Sequence, residues 1–342
     1  MRSPVDWLES LSPWPEEFGL GRMRALLTEL GEPQRAFPSI HVVGTNGKST
    51  ATRRAAAFLL REGPSTGAYT SPHVSGWSER IQVDGDDADI EAALARVREP
   101  AERLGATQFE VLTAAAFAEF ADRRVDVAVV EAGLGGRLDA TNVLDARIVV
   151  LTNVALDHTD VLGETREQIA AEKLAVASPG ATVIVGEPEW GATHAEDVGR
   201  AAAEAFLGRE LEGDVEISLP GRLDVIGEDV FAGAHNPAGI EWLLERLPRD
   251  DYVIVASILA DKDAEAMLRL LARVGGKLIA TSSRSARALP ADELARAATP
   301  FFDVVEVEPD PERALDRAAS PVLVTGSLYL ISDLSVRLQG VP

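Results

Sequence analysis

One polar segment near the start of the chain combines two glycines with a lysine and several hydroxyl side chains. It follows the apolar stretch 40–43 directly and reads Gly44-Thr45-Asn46-Gly47-Lys48-Ser49-Thr50. A strand, a glycine turn and a helix beginning near Ser49 would aim backbone N–H groups at one point, which suits phosphate oxygens. Lys48 can reach terminal phosphates, and the hydroxyl of Ser49 or Thr50 can bind Mg²⁺. The spacing G-x-x-G-K-[ST] is shorter than in common phosphate loops, so an ordinary glycine turn stays open as the alternative.

Two later strand ends carry side chains that could bind a metal. Glu131 ends the apolar run 125–131 and precedes a glycine-rich segment, and His158 follows the next apolar run. The carboxyl ends of parallel strands are where open α/β sheets bind ligands. Glu131 there resembles a Walker-B Mg²⁺ ligand, and a neutral imidazole can bind a metal. The alternatives are a carboxylate that caps a glycine turn and an ordinary polar histidine.

Lysine is scarce in this chain. Among 33 basic residues only four are lysine, namely Lys48, Lys173, Lys262 and Lys277. A chain that uses arginine so widely is expected to keep lysine where an amine is needed. Lys173 lies in a predicted helix with apolar neighbours, and an amine can react with CO₂ to form a carbamate, an anionic ligand that arginine cannot supply. An exposed helical lysine is the alternative.

Short apolar strands alternate with helices along the chain, which predicts a doubly wound, mostly parallel α/β sheet. The residue pattern of the chain changes at the segment 219–222. We therefore predict a phosphate-loop domain over 1–218 and a smaller Rossmann-like domain over 219–342. Predicted helices cover 22–31, 49–61, 89–104, 109–121 and 166–177, with one alanine-rich helix in 191–218. Predicted strands cover 67–70, 125–131, 147–153, 183–186, 230–232, 252–256, 277–280, 304–307 and 321–325.

The second half also has polar motifs at its strand ends. They are Gly233-Ala234-His235-Asn236-Pro237, Ala260-Asp261-Lys262-Asp263, Thr281-Ser282-Ser283-Arg284 and Thr325-Gly326-Ser327. We expect these loops to lie at one edge of the second sheet and to face the first domain.

Composition excludes several classes of protein. The formal net charge is −22, which argues against nucleic acid as a partner and requires any phosphate site to be locally positive. Cysteine is absent, and the chain contains no run of about 18 apolar residues, the length needed to span a membrane. The N-terminus lacks the apolar core of a secretory signal. We therefore expect a cytoplasmic protein with no membrane partner.

Together these segments resemble the folylpolyglutamate synthase/dihydrofolate synthase family, a branch of the Mur ligases. The likeness covers most of the chain and includes Phe18-Gly19-Leu20-Gly21-Arg22, the phosphate loop, Ser71-Pro72-His73, Phe109-Glu110, 131–142, Leu156-Asp157-His158, Glu172-Lys173, Pro220-Gly221-Arg222, Gly233-Ala234-His235-Asn236-Pro237, Ala260-Asp261-Lys262-Asp263 and Thr325-Gly326-Ser327. The resemblance implies amide formation driven by ATP. ATP would phosphorylate a pteroate or folate carboxylate, and L-glutamate would then attack the acyl phosphate.

The resemblance also implies roles for individual residues. The segment 44–50 would hold ATP, with Lys48 on its phosphates, and Arg222 would touch ATP from the hinge. Mg²⁺ would be bound by Ser71, Glu131 and His158, and Lys173 would carry the carbamate. His235 would lie near the incoming glutamate. The pterin side would be lined by Thr107, Gln108, Phe109, Glu110, Leu138, Asp139 and Ala140. ATP, Mg²⁺ and a monovalent cation are the expected cofactors, and a monomer is the expected state.

Two features depart from the family. Ala232 stands where relatives usually have Asp, and the chain is short between Glu187 and Leu219, where the His-Gln-x-x-Asn helix of the adenosine pocket is missing. Two alternatives therefore stay open: a ligase for a non-folate carboxylate or a different amino acid, and a nucleotide- or folate-binding homologue with reduced turnover. The choice between dihydrofolate synthesis and polyglutamylation is also open.

Overall fold

A computed structural model describes residues 2–15 and 17–339. The chain divides into two compact units, Met1–Ile217 and Ser218–Pro342. Each unit contains its own sheet and hydrophobic core. Among the described residues, no helix is both long and apolar enough to cross a membrane.

The first unit is built on seven described strands. They are β1 Ser39–Val43, β2 Thr66–Tyr69, β3 Ile81–Val83, β4 Asp86–Asp87, β5 Val127–Glu131, β6 Ile148–Leu151 and β7 Thr182–Val185. Their order in the sheet is β4-β3-β2-β5-β1-β6-β7. The five strands from β2 to β7 in this order are parallel, and β3 and β4 add an antiparallel edge. The loops that leave β2, β5, β1 and β6 therefore emerge side by side at one edge.

Helices cover both faces of this sheet. They are α1 Pro4–Glu9, α2 Gly21–Glu29, α3 Lys48–Arg61, α4 Ile90–Leu104, α5 Gln108–Arg123, α6 Thr159–Leu162, α7 Arg166–Leu174 and α8 Val198–Leu207. Successive residues of a strand face opposite sides, so Ile40 packs in the cluster with Phe58 of α3, while Val43 packs in the cluster with Ile169 of α7. Burial on both faces explains why these strands are continuous apolar runs.

The alanine-rich helix predicted within 191–218 is α8, and it packs against α3. At Gly199 a Cβ atom would lie 2.9 Å from the carbonyl oxygen of Ala51, so only glycine permits this close approach. Arg54 of α3 also bonds to Asp197, the N-cap residue of α8, at 2.6 Å. The segment after β7 therefore braces the helix that follows the phosphate loop.

The second unit contains six described strands in the order β12-β11-β10-β13-β9-β8. They are β8 Asp224–Ile226, β9 Asp229–Phe231, β10 Val253–Ala256, β11 Lys277–Ala280, β12 Val304–Val307 and β13 Val322–Thr325. All neighbouring pairs are parallel except β8 with β9. The described helices are α9 Pro237–Leu244, α10 Ala264–Leu271, α11 Ala291–Ala298, α12 Pro311–Arg317, α13 Leu328–Asp333 and α14 Ser335–Gln339.

Most predicted elements are present, with shifts of one to three residues at their ends. The strands over 277–280 and 304–307 have the predicted bounds, whereas α7 ends at Leu174 rather than 177. The short strands β3, β4 and β8 were not predicted. They have two or three residues each and lie at or near the antiparallel edges, so they lack the buried apolar run that identifies the central strands.

Candidate active site

The phosphate-loop segment leaves β1 and enters α3. Gly44 has φ +149°, and a Cβ there would lie 1.8 Å from Thr152 Oγ1, so no other residue fits. Gly47 is the N-cap residue of α3 with φ +78°, and the helix begins at Lys48. Both glycines are therefore required by the backbone itself. The turn directs the first N–H groups of α3 outward at the carboxyl edge of the sheet.

Asn153 holds the other side of this turn. Its carbonyl oxygen accepts from the N–H of Thr45 at 2.9 Å, and its Oδ1 accepts from the N–H of Asn46 at 2.9 Å. The hydroxyl of Thr152 donates to the Asn46 carbonyl oxygen at 2.7 Å. The loop is therefore tied to the end of β6. Sequence reasoning missed Thr152 and Asn153, although polar residues directly after an apolar strand were the available signal.

Two lysine amines lie on the carbonyl oxygens of this turn. Lys48 Nζ donates to Thr45 O at 3.2 Å, and Lys173 Nζ donates to Gly44 O at 2.8 Å. Lys173 is only 4% exposed. Burial, together with the charge of Lys48, lowers the pKa of Lys173 from 10.5 to about 7. A large share of this amine is therefore neutral near neutral pH, which is the form that reacts with CO₂.

Glu131 is buried where β5 ends. Ser49 Oγ–H donates to its Oε1 at 3.2 Å, and the N–H of Ser71 donates to its Oε2 at 3.1 Å. The carboxylate thus joins the first turn of α3 to the loop after β2. Of the two hydroxyls considered from the sequence, that of Ser49 meets Glu131.

The oxygen atoms of Glu131 and Ser49 suit a hard cation such as Mg²⁺, which prefers oxygen ligands. Among the described residues, no group of three or more His, Asp or Glu side chains could hold a metal. A cation at Glu131 would therefore have few protein ligands. Mg²⁺ is commonly bound in this way, by one or two carboxylates together with phosphates and water.

His158 lies beyond the end of β6, the strand beside β1. It is the N-cap residue of α6 with φ +50°, and its N–H donates to Asp157 Oδ1 at 3.0 Å. His158 Nε2 lies 4.0 Å from the same carboxylate oxygen. The topology therefore brings His158, Glu131 and Ser71 to one sheet edge, while the ligand roles of these residues stay predictions.

The predicted pterin-side residues at the start of α5 are largely occupied by each other. The N–H and the hydroxyl of Thr107 both donate to Glu110 Oε2 at 2.8 Å, and the bond from the N–H is one half of a capping box. Arg22 Nε also donates to Glu110 Oε2, at 2.7 Å. Gln108 Nε2 donates to Leu8 O at 3.2 Å. The ring of Phe109 packs on Gly133, where a Cβ would lie 2.6 Å from it. These contacts fix the N-terminus of α5.

The other predicted pterin-side residues lie in the glycine-rich segment after β5. Leu138 is exposed, whereas Asp139 and Ala140 are buried. Asp139 accepts from the N–H of Leu134 at 2.8 Å and from the N–H of Thr141 at 3.0 Å. Burial raises the pKa of Asp139, and these hydrogen bonds oppose the rise. Asp139 therefore shapes the loop that presents Leu138.

Arg222 and His235 belong to the second unit. His235 Nδ1 lies 3.0 Å from Gly233 O, and because a carbonyl only accepts, Nδ1 carries the proton. The N–H of Gly233 donates to Gly221 O at 2.7 Å, so the segment with Arg222 is held beside the His235 loop. Ala232 is buried in the core of this unit. The approach of Arg222 and His235 to ATP and glutamate stays a prediction.

Comparison with known proteins defines the class. The family model described as Mur ligase middle domain matches residues 42–208, and the model described as Mur ligase, glutamate ligase domain matches residues 221–332. With a phosphate loop in the first α/β unit and a second α/β unit after it, the chain is a Mur ligase. The enzyme class is therefore an ATP-dependent ligase that forms an amide bond.

Individual relatives narrow this class. The chain is 33% identical to a Mycobacterium tuberculosis dihydrofolate synthase/folylpolyglutamate synthase, over 90% of this chain and 84% of the relative. It is 30% identical to the Escherichia coli dihydrofolate synthase/folylpolyglutamate synthase, over 98% of this chain and 94% of the relative. The chain therefore belongs to the folylpolyglutamate synthase/dihydrofolate synthase family, as the sequence motifs predict.

Solved structures agree. Folylpolyglutamate synthase of M. tuberculosis complexed with ADP and AMPPCP matches with a TM-score of 0.88 at 30% identity, over 99% of this chain and 98% of that chain. E. coli FolC in complex with DHPP and ADP matches with a TM-score of 0.86 at 28% identity, over 99% and 98%. The predicted fold class is confirmed. The two alternative functions left open from the sequence receive no support from these relatives.

The comparisons also bear on chain length. The alignment with the Bacillus subtilis relative extends over 427 residues, although this chain has 342. This chain therefore lacks segments that the relative has. Its shortening between Glu187 and Leu219 stays a prediction, and the described helix in that region is α8.

Proposed function

We propose that this chain joins L-glutamate to the carboxylate of a pteroate or folate. The observation that carries the proposal is the convergence of Lys48 and Lys173 on the carbonyls of the phosphate loop, beside the buried Glu131. In this assignment residues 1–218 bind ATP and the pterin substrate, and residues 219–342 bind glutamate. Relatives crystallised with ADP or with DHPP and ADP support both ligand classes.

The reaction proceeds in two transfers. The γ-phosphoryl group of ATP passes to a carboxylate oxygen of the acceptor, and ADP leaves. The amino nitrogen of glutamate then attacks the acyl carbon, phosphate leaves and the nitrogen loses a proton. A carboxylate is a poor acyl donor, so the first transfer activates it. The protein contributes mainly positioning and charge neutralisation.

The residues of the first unit divide these tasks. Lys48 neutralises charge on the phosphates, while the rest of the segment 44–50 orients them. Ser71, Glu131 and His158 would hold Mg²⁺, which supplies further neutralisation when bound. Carbamylation of Lys173 joins its neutral nitrogen to the carbon of CO₂ and releases a proton. The resulting anion lies beside the Lys48 amine, which stabilises it.

The remaining residues serve the two organic substrates. Leu138 offers exposed apolar surface to the pterin, while Asp139, Ala140 and the start of α5 give the loop its shape. Arg222 contacts ATP, and His235 lies near the incoming glutamate. The proposal also includes a bound monovalent cation and a monomeric state. It further includes a cytoplasmic location, with no nucleic-acid or membrane partner. Size-exclusion chromatography and a titration with KCl test the monomer and the cation.

The decisive experiment measures ligation directly. Purified full-length protein is incubated with ATP, Mg²⁺, L-glutamate and either dihydropteroate or tetrahydrofolate, and phosphate release and product mass are recorded. We expect phosphate release only when acceptor and glutamate are both present, with a product heavier by one glutamyl residue. The two acceptors distinguish dihydrofolate synthesis from polyglutamylation. If neither acceptor is extended with any nucleoside triphosphate, the proposed function is wrong.

A further inference from the structure

His41 is a buried histidine in the strand that leads into the phosphate loop. It is 1% exposed and lies in the middle of β1, opposite Val130 of β5. Its Nε2 lies 2.8 Å from Thr141 Oγ1, a residue 100 positions later in the loop after β5. A hydrogen bond thus connects the strand of the phosphate loop with the loop that carries Leu138 and Asp139.

The direction of the hydrogen bond between His41 and Thr141 follows from the second contact of the Thr141 hydroxyl, which is with Asp139. Thr141 Oγ1 lies 2.5 Å from Asp139 Oδ1. Asp139 Oδ1 accepts a hydrogen bond from the Thr141 hydroxyl, as it does from the Thr141 N–H, so the single proton of that hydroxyl is used at Asp139. The hydroxyl oxygen must then accept from His41, and His41 Nε2 carries a proton. The hydrogen bonds run from His41 through Thr141 to Asp139.

The opposite nitrogen of His41 supports this assignment. His41 Nδ1 is buried and has no hydrogen-bond partner within the described part of the chain. A proton there would have no acceptor, so the ring is neutral with its proton on Nε2. Burial lowers the pKa of His41 to about 4, consistent with a neutral ring at physiological pH.

We propose that His41 is a positioning residue for the pterin substrate, acting through Thr141 on Asp139. It touches no substrate. It orients the Thr141 hydroxyl, which with the two backbone N–H groups holds the Asp139 carboxylate and so fixes the loop that presents Leu138. The inference rests on the proposed function, because the pterin role of 138–140 belongs to that proposal.

Two matched pairs of variants test this role. Thr141→Val removes the hydroxyl at nearly constant volume, while Thr141→Ser keeps it. His41→Gln keeps an amide donor at about the reach of Nε2, while the shorter His41→Asn does not reach Thr141. We expect Thr141→Val and His41→Asn to raise KM for dihydropteroate about tenfold, as the loss of one hydrogen bond to a charged group implies. Thr141→Ser and His41→Gln should stay near wild type, and KM for ATP should change in none of them.

A purely structural role predicts a different pattern. Thr281 in the second unit is also fully buried, and its Oγ1 donates to Pro309 O at 3.1 Å. Thr281→Val therefore controls for the loss of a buried hydroxyl, and it should lower the melting temperature without changing KM for dihydropteroate. His41 and Thr141 have a purely structural role if Thr141→Val changes only the melting temperature. The same conclusion holds if Thr141→Val raises KM for dihydropteroate and KM for ATP by the same factor.

The failures of the two proposals are distinguishable. Binding of dihydropteroate to the wild-type protein, measured by calorimetry without turnover, gives a second readout. If the wild type neither binds nor ligates dihydropteroate or tetrahydrofolate, the proposed function fails and this inference fails with it. If the wild type is active and the donor-deleting variants keep its KM, only the inference fails. Should Thr141→Val not fold, the comparison of His41→Gln with His41→Asn decides in the same way.

Discussion

The amine of Lys173 donates a hydrogen bond of 2.8 Å to the carbonyl oxygen of Gly44, although the two residues are 129 positions apart. Helix α7 thereby places a buried amine against the first glycine of the phosphate loop. The amine of Lys48 donates to the next carbonyl oxygen of the same turn, that of Thr45, at 3.2 Å. The two amines share one small region, where burial and the charge of Lys48 lower the pKa of Lys173.

Lys48→Ala should abolish ligation. Among the described residues, the other lysine at this turn is Lys173, which is buried on the Gly44 carbonyl and has a pKa lowered to about 7, so it does not replace the charge of Lys48 on the phosphates. We expect a loss of at least about a thousandfold in kcat, as for other charge-stabilising groups at phosphoryl transfer. Phosphate release measures it. Lys277→Ala is the control, because Lys277 pairs with Glu306 at 2.7 Å on the second sheet. Near-normal turnover in Lys48→Ala would refute the role.

Lys173→Arg should be inactive as well, because a guanidinium group cannot form a carbamate. Acetate or another small carboxylic acid should restore part of the activity by supplying the missing anion. Carbamylation is checked by ¹³C NMR of the wild type in [¹³C]bicarbonate, with Lys173→Arg as the blank. A carbamate signal that persists in the variant, or full activity of the variant, contradicts the assignment.

Stability should depend on pH through Lys173. Its pKa is about 7 in the folded chain and near 10.5 when exposed, so between these values the unfolded chain binds more protons. Stability contributed by this site therefore rises as pH increases from 7 to 10.5, and below 7 the cost of burying the charge is fully present. Lys173→Met removes this dependence. Urea unfolding of both proteins in CO₂-free buffer at pH 6, 8 and 9.5 should show the variant's relative advantage shrinking as pH rises. A difference independent of pH contradicts the lowered pKa.

Glu131→Gln should weaken the response to Mg²⁺ while leaving the fold intact. The amide keeps an acceptor for Ser49 but turns an N–H toward the N–H of Ser71, and it removes the negative charge that attracts the cation. We expect kcat to fall about a hundredfold or more, with a higher Mg²⁺ requirement in the phosphate-release assay. Glu306→Gln, on the second sheet, is the matched control. Unchanged Mg²⁺ dependence in Glu131→Gln would exclude Glu131 as a ligand.

Local patterns in the sequence were sufficient for the architecture and for part of the site. The apolar runs of β1, β5, β10 and β11 identify buried parallel strands, because both faces are covered by helices. The segment from Gly44 to Thr50 identifies the phosphate loop, because its glycines and the start of a helix lie next to each other in the chain. The polar residues that end these strands could therefore be assigned to one sheet edge from the order of residues alone.

Other features depend on partners distant in the chain. Asn46 and Asn153, which are hydrogen-bonded, lie 107 positions apart in the chain, and His41 and Thr141, which are also hydrogen-bonded, lie 100 positions apart. Glu110, predicted to lie by the pterin, also completes a capping box and binds Arg22, which only the packing of α2 against α5 allows. Composition and spacing determine which strands and turns form, because those depend on near neighbours. Burial and hydrogen-bond partners at Lys173, Glu131 and His41, and the lowered pKa values of Lys173 and His41, were decided by tertiary structure alone, because each depends on groups that only folding brings close together.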